Sequence, residues 1–318
     1  MRKKIKWLIG TILLWLITIT ALAQIKENEN FIDSLSSNIQ TIKEELQQIQ
    51  DNYYVIIPSG MAGNIGVFIS DRGVILIDSQ WSELTGKIKE LLLTVTQKPI
   101  IKIINTHYHF DHTNGNISYG AKNIPIISHE NARMRMSKKQ VLSMIGSGMF
   151  KLVQKPYPPD ALPTITFTDE VILYEGTEII ELKYFRNAHT DGDIIVHFKN
   201  ADIYHTGDIF VTYGFPFIDE ENGGDIYFMI DAIEQLLLQS NEKTKFIPGH
   251  GPVCSKKELQ EYKEFLAIIR DNVEMLTREN RKLDEIIKDT KVKIHSESLD
   301  ADEFIKRVYR SVKIHLAV

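Results

Sequence analysis

Thr106-His107-Tyr108-His109-Phe110-Asp111-His112-Thr113 places three imidazoles and a carboxylate within six residues, directly after the apolar run Pro99-Ile100-Ile101-Lys102-Ile103-Ile104. The run reads as a buried strand. Side chains two apart on an extended chain point the same way, so His107 and His109 are expected to converge on one metal ion. Asp111 and His112 fall where the strand ends, in a turn that can aim them at a second ion. Any one of these histidines would pass as a solvated loop residue. Four ligand-type residues at H-x-H-x-D-H spacing, with further candidates downstream, point to a two-metal site.

Working outward, the flanking sequence alternates strands and helices. Tyr53–Ile57 reads as an outer strand, and Ile65–Ile69 with Val74–Ile77 as a hairpin turning at Asp71-Arg72-Gly73. Asp78 ends a strand beside the expected site, where a carboxylate can accept the second N–H of a liganding histidine. An amphipathic helix over 83–96 precedes the strand that leads to His107, which is α/β order. Ile124–Ile127 reads as the next strand and ends near His129, which has no partner at ligand spacing. Residues 134–163, with Met134, Met136, Met144, Met149 and Gly146-Ser147-Gly148, read either as a lid with soft apolar contacts or as a surface excursion packed on the core.

Further strands, Val171–Tyr174 and Ile179–Phe185, lead into Asn187-Ala188-His189-Thr190-Asp191-Gly192-Asp193. His189 in a loop between two strands is a candidate ligand delivered from a distance. Ile203-Tyr204-His205-Thr206-Gly207-Asp208 ends on Asp208, whose two oxygens can bridge two cations. His205 and His197, on strands, read as packed residues. Lys245-Phe246-Ile247 ends in Pro248-Gly249-His250-Gly251-Pro252, where flanking glycines let the backbone turn and present His250 inward. Cys254 reads as a buried, inert thiol. From Ser255, a capping box with Glu258 opens a helix whose Leu259, Tyr262, Leu266, Ile269, Val273 and Leu276 form one stripe. That helix is expected to break beyond Asn280, leaving His295 and His315 on the surface.

Composition excludes some partners. At 318 residues and 43% hydrophobic, the chain can bury a sizeable core, and a net charge of -5 leaves no basic footprint for nucleic acid. With a single cysteine, no intramolecular disulfide can form. Arg2-Lys3-Lys4-Ile5-Lys6, the apolar stretch Trp7–Thr20 and Ala21-Leu22-Ala23 before Gln24 have the form of a secretory signal cleaved after Ala23. The expected location is periplasmic or secreted, the alternative being an uncleaved membrane anchor. In 24–50, Ile32, Leu35, Ile39, Ile42, Leu46 and Ile49 make a narrow helical stripe, expected to lie against its own domain or, like the C-terminal helices, to form a homodimer seam. The expected organisation is thus 1–23 signal, 24–50 amphipathic helix, 51–266 catalytic domain and 267–318 helical extension.

The H-x-H-x-D-H motif, followed by His189, Asp208 and His250 at strand ends, resembles the metallo-β-lactamase superfamily over about residues 53–266. The resemblance implies an α/β, four-layer αββα sandwich of two mixed sheets flanked by helices. It also implies that His107, His109 and His189 hold one metal, that Asp111, His112 and His250 hold the other, and that Asp208 lies between. Asp78 matches the aspartate closing the family's first motif, as a support to a ligand. Two zinc ions are the expected cofactor, with iron or manganese open because Asp111 and Asp208 are hard oxygen donors. The implied activity is hydrolysis of an ester, lactone or amide bond in a small molecule by a metal-activated hydroxide, Asp111 orienting the nucleophile. Zinc β-lactamases of the family carry cysteine or serine at the position of Asp208 and often lysine just after it. Here Ile209, Phe210 and Val211 follow, which disfavours a true β-lactamase. A persulfide-type iron dioxygenase on the same fold would leave His112 and His250 idle.

Overall fold

The computed structural model describes residues 39–60, 62–143, 151–293 and 299–317. The expected signal at 1–23, Ile32, Leu35, Met144, the Gly146-Ser147-Gly148 element, Met149 and His295 lie outside the described residues. Among the described residues, no helix is long and apolar enough to cross a membrane.

Two sheets stack face to face. The first has seven strands: β1 (Glu44–Gln50), β2 (Tyr53–Pro58), β3 (Ile65–Ile69), β4 (Val74–Ile77), β5 (Ile100–Ile104), β6 (Ile126–His129) and β9 (Ile165–Phe167), in that order across the sheet. The second runs β10 (Glu170–Glu175), β11 (Glu178–Tyr184), β12 (Ile194–Phe198), β13 (Ile203–His205) and β14 (Lys245–Ile247). Both are mixed: β4, β5, β6 and β9 pair in parallel, as do β13 and β14, and the remaining pairs are antiparallel.

Strand alternation builds the layers. Along β4, Ile75 and Ile77 face the second sheet and join Ile180, Leu182, Ile194 and Val196. Val74 and Leu76 face outward onto Leu84, Ile88 and Leu92 of the flanking helical turn and helix Thr85–Leu93. Strands buried on both faces need continuous apolar runs, which is why β3 and β4 carry them. Outside the second sheet, helices Ile226–Gln239, Lys256–Arg278, Leu283–Lys293 and Leu299–Leu316 share one core with Ile195, Tyr204 and Phe246. The order helix, sheet, sheet, helix is the αββα sandwich.

Two readings need correction. Glu44–Gln50, expected within a 24–50 helix, is strand β1, paired with β2 around Asn52, which takes a left-handed conformation at φ 66°. Leu46 and Ile49 fit a helical stripe equally well, but pairing Glu44–Gln50 with an apolar neighbour satisfies its backbone groups on the sheet. β1 therefore takes the outer place expected for Tyr53–Ile57. The boundary at 266/267 falls inside one helix, Lys256–Arg278, and the supposed extension buries Phe304, Ile305, Val308 and Val312 in the domain core. The described part of 134–163 is a helix Glu130–Met136, the hairpin β7 (Gln140–Ser143) with β8 (Lys151–Gln154), and a cluster in which Met136, Leu142 and Leu152 pack on Tyr108 and Phe110, in line with the alternative of an excursion packed on the core. The capping box at Ser255 and Glu258 is present as expected, and the helix ends at Arg278, just before the break expected beyond Asn280.

Candidate metal centre

Five chain segments end at one edge of the sandwich, because parallel neighbours β4 with β5 and β13 with β14 point their C-terminal ends the same way. β4 delivers Asp78, β5 delivers Thr106 to His112, the β11–β12 loop delivers His189, β13 delivers Asp208, and β14 delivers His250. Their donor atoms form two groups, His107, His109, His189 and Asp208, and Asp111, His112 and His250, each with its atoms within 4.8 Å of one another. All seven candidate ligands from the sequence are in them. Asp208 faces both groups: Oδ1 is 3.1 Å from His112 Nε2 and 3.6 Å from His250 Nε2, and Oδ2 is 3.7 Å from His189 Nε2.

The outer nitrogens of the histidines are held by the protein. His112 Nδ1 donates to Asp78 Oδ2 at 2.8 Å, His189 Nδ1 to the Phe217 carbonyl at 2.7 Å, and His109 Nε2 to Asp219 Oδ2 at 3.0 Å. His107 Nδ1 lies 3.0 Å from Thr106 Oγ1. In the His107, His109, His189 group the inner nitrogens are consequently left as bare lone pairs, and they converge: His107 Nε2 to His109 Nδ1 is 3.2 Å and His189 Nε2 to His109 Nδ1 is 2.9 Å, while in the other group His112 Nε2 and His250 Nε2 stand 3.2 Å apart. Converging lone pairs repel unless a cation sits among them, and the Asp208 carboxylate stands beside them with Oδ2 3.7 Å from His189 Nε2. The donor set therefore fits bound divalent metal, with nitrogen and carboxylate oxygen suited to zinc, iron or manganese.

Electrostatics agree. Burial and the neighbouring imidazoles hold His107 well below its ordinary pKa, and burial with His109 lowers His189 to about 4, so both stay neutral. Burial opposes ionisation of Asp208, but His250 and His112 keep its carboxyl well below the usual range. Against burial, Asp208 and Asp111 pull His250 up to about 9. Those carboxylates make a cation-seeking site, in which a metal must displace protons to bind.

Close backbone approach shapes the pocket. A Cβ on Gly63 would lie 2.2 Å from His112 Cε1, and one on Gly249 would lie 1.9 Å from Asp208 Oδ1. Gly249 is thus required for room beside Asp208, whereas Gly251, at φ 98°, supplies the turn. Asp78 itself sits at φ 67°, and its carboxylate also accepts Thr106 N at 2.8 Å and Thr106 Oγ1 at 2.7 Å.

Asp219 was not anticipated. It supports His109, accepts the Tyr108 hydroxyl, and is held by Asn222 Nδ2 at 3.0 Å. An aspartate beside a glycine-rich turn carries no distinguishing spacing, and only the chain's return to His109 reveals it. The discounted residues stay outside both groups. His129 stacks on Tyr184 at 3.8 Å, His197 stacks on Tyr204 at 3.8 Å, and His205 is buried behind Gly66. Burial pushes the Cys254 thiol up to about 11, and Sγ donates to the Pro252 carbonyl. His315, expected at the surface, pairs with Asp225 Oδ2 at 3.1 Å.

Above the donors lies a cavity of about 400 Å³. Pro58, Ala62, Phe110, Leu142 and Phe217 give it an apolar wall, Asp111, Asp208 and His250 its floor, and Tyr213 its rim. None of the described lining residues is lysine or arginine.

A family model described as the metallo-beta-lactamase superfamily matches residues 58–250. A probable metallo-hydrolase of Methanocaldococcus jannaschii is 29% identical over 210 residues, 65% of this chain and 96% of its own length. A probable metallo-hydrolase of Bacillus subtilis is 27% identical over 210 residues, 64% and 92% respectively. Among solved structures, a metallo-beta-lactamase from Pontibacter korlensis superposes with a TM-score of 0.56 at 16% identity, covering 71% of this chain and 99% of that one. A stereoselective inverting sec-alkylsulfatase from Pseudomonas sp. gives 0.61 at 14%, covering 84% of this chain and 50% of that one. At such identities the structures share the fold alone.

Proposed function

The chain belongs to the metallo-beta-lactamase superfamily and is a metal-dependent hydrolase, and from that premise we propose that it is an exported enzyme that uses two zinc ions to open a neutral ester, lactone or amide. The observation that carries the two-metal reading is Asp208, whose two oxygens face the two donor groups. When bound, the ions would supply Lewis acidity and a nucleophile at neutral pH by lowering the pKa of water.

The chain's own residues do the rest. His107, His109 and His189 would hold one ion, Asp111, His112 and His250 the other, and Asp208 would span them. Asp111 Oδ2, 3.2 Å from His250 Nε2 and open to the cavity, is placed to orient the attacking water. Tyr213, 44% exposed at the rim with its ring 5.1 Å from the His250 ring, would offer its hydroxyl as a proton donor toward the carbonyl oxygen or leaving group. The apolar wall would receive an acyl or aromatic group and exclude water from it.

Absence of a cation among the described lining residues weighs against a substrate recognised through a carboxylate, as in efficient β-lactam turnover. Elemental analysis of the purified mature chain tests the metal reading: close to two zinc ions per chain are expected, and one iron with no zinc would replace it with the dioxygenase. Export rests on the N-terminal pattern alone. An intact mass from the native host beginning at Gln24 is expected, and one that retains 1–23 would make the protein membrane-anchored.

A further inference from the structure

The matched stretch ends at His250, yet the helix Leu299–Leu316 reaches back to the metal centre. Arg307 on that helix is 1% exposed and among the largest fully buried side chains. Its guanidinium lies 4.5 Å from the centre of the Phe217 ring, and Nη1 donates to the Ile218 carbonyl at 2.9 Å. One turn on, Arg310 pairs with Glu220, and His315 pairs with Asp225. One helix thus grips 217–225 at three points.

What it grips is the support of two histidines. The Phe217 carbonyl accepts from His189 Nδ1, Asp219 N donates to the His189 carbonyl at 3.0 Å, and Asp219 Oδ2 accepts from His109 Nε2. The Phe217 ring also stands 5.7 Å from the His109 ring and 5.9 Å from the His189 ring. On its own helix the buried neighbours Phe304 and Val308 belong to the hydrophobic core, and Glu303 Oε1 stands 3.9 Å from Arg307 Nη2. A buried guanidinium is costly in such a place unless its donors are used. Its flat face and its fork here fix a ring and a carbonyl on consecutive residues at once, which neither an aliphatic side chain nor an ammonium can do.

We propose that Arg307 is a positioning residue for the His107, His109, His189 group: by locking 217–219 it fixes the orientation of His109 and His189, so the C-terminal helix sets the metal affinity of that group. This rests on the reading of His109 and His189 as ligands.

The test uses the full chain, stripped of metal and reloaded with zinc, comparing Arg307→Met, Arg307→Lys and, as a control buried in the same helix, Phe304→Leu. Zinc affinity is read by competition with a chromophoric chelator, and the His189 Nδ1–H by NMR of metal-free, ¹⁵N-histidine protein. Removing a partner that orients a ligand costs roughly 10–100-fold in metal affinity, so Arg307→Met should lose about tenfold, acting one residue further out. Arg307→Lys should recover part of that loss. Phe304→Leu should stay within about twofold of wild type even where it lowers the melting temperature as much. The His189 signal should shift in Arg307→Met and remain in Phe304→Leu. Equal affinities for Arg307→Met and Phe304→Leu, with the His189 signal unmoved, would overturn the proposal. Should Arg307→Met not fold, native affinity and a native His189 signal in Arg307→Lys would do the same. A wild-type chain that binds no zinc would instead sink the metal reading, and the metal-free signal would still decide whether Arg307 holds His189.

Discussion

His112 and Asp78, 34 positions apart in the chain, are joined by a 2.8 Å hydrogen bond with both side chains wholly buried. The bond commits Nδ1–H to Asp78 and aims Nε2 at the donor group, so Nε2 is the nitrogen that would give up its proton to a metal. Asp78→Asn removes a pure acceptor and lets the other tautomer form. Zinc affinity of the Asp111, His112, His250 group should fall roughly 10–100-fold, measured by chelator competition. Native affinity in this variant would separate Asp78 from the site.

Asp208→Ala removes the carboxylate facing both donor groups. Metal content and hydrolytic rate should fall together, followed by elemental analysis and kinetics on the same sample. Full activity with full metal content would show that the site has been assigned wrongly.

Gly63→Ala would drive a Cβ to 2.2 Å from the His112 ring. Overpacking of this kind costs about 1–3 kcal/mol, so the chain should still fold, with a lower melting temperature. His112 would be displaced and metal lost from its group. Retention of native metal content at native stability would mean that His112 is free to move without cost.

A substrate panel on the zinc-loaded protein should favour lactones and simple esters or amides with apolar groups, with weak turnover of nitrocefin. Tyr213→Phe should slow the preferred substrate about 100-fold or more at unchanged metal content, the scale of one lost general acid. Nitrocefin turnover at a kcat/KM of about 10⁶ M⁻¹s⁻¹ would make the protein a β-lactamase outright.

Glu44 gives a pH dependence away from the metals. Burial lifts its carboxyl from 4.5 to about 7, against the Gln80 amide and Lys87. The folded value is raised, so its contribution to stability is fully present below pH 4.5 and is lost as pH rises through about 7. Glu44→Gln should therefore lose less stability than wild type between about pH 5 and pH 8, read from denaturation midpoints. Parallel losses in the two proteins would rule Glu44 out as the titrating group.

By itself the sequence determined the H-x-H-x-D-H motif and most of the strands, because that information is local, and the motif's resemblance to the metallo-β-lactamase superfamily implied the sandwich and the full ligand set. The H-x-H-x-D-H spacing follows from chain geometry at a strand end, and alternating or continuous apolar runs mark strands whichever partners they find. The seven candidate ligands were implied by that resemblance, and the structure brings them together. Only tertiary structure decided the rest. Glu44–Gln50 satisfies helix and strand patterns alike, and the neighbour β2 settles it. Asp219 and Arg307 lie 110 residues from His109 and 89 from Ile218 respectively, with no motif of their own. A support to a ligand is defined by what the chain brings beside it, and that separation lies beyond any local period of helix or strand.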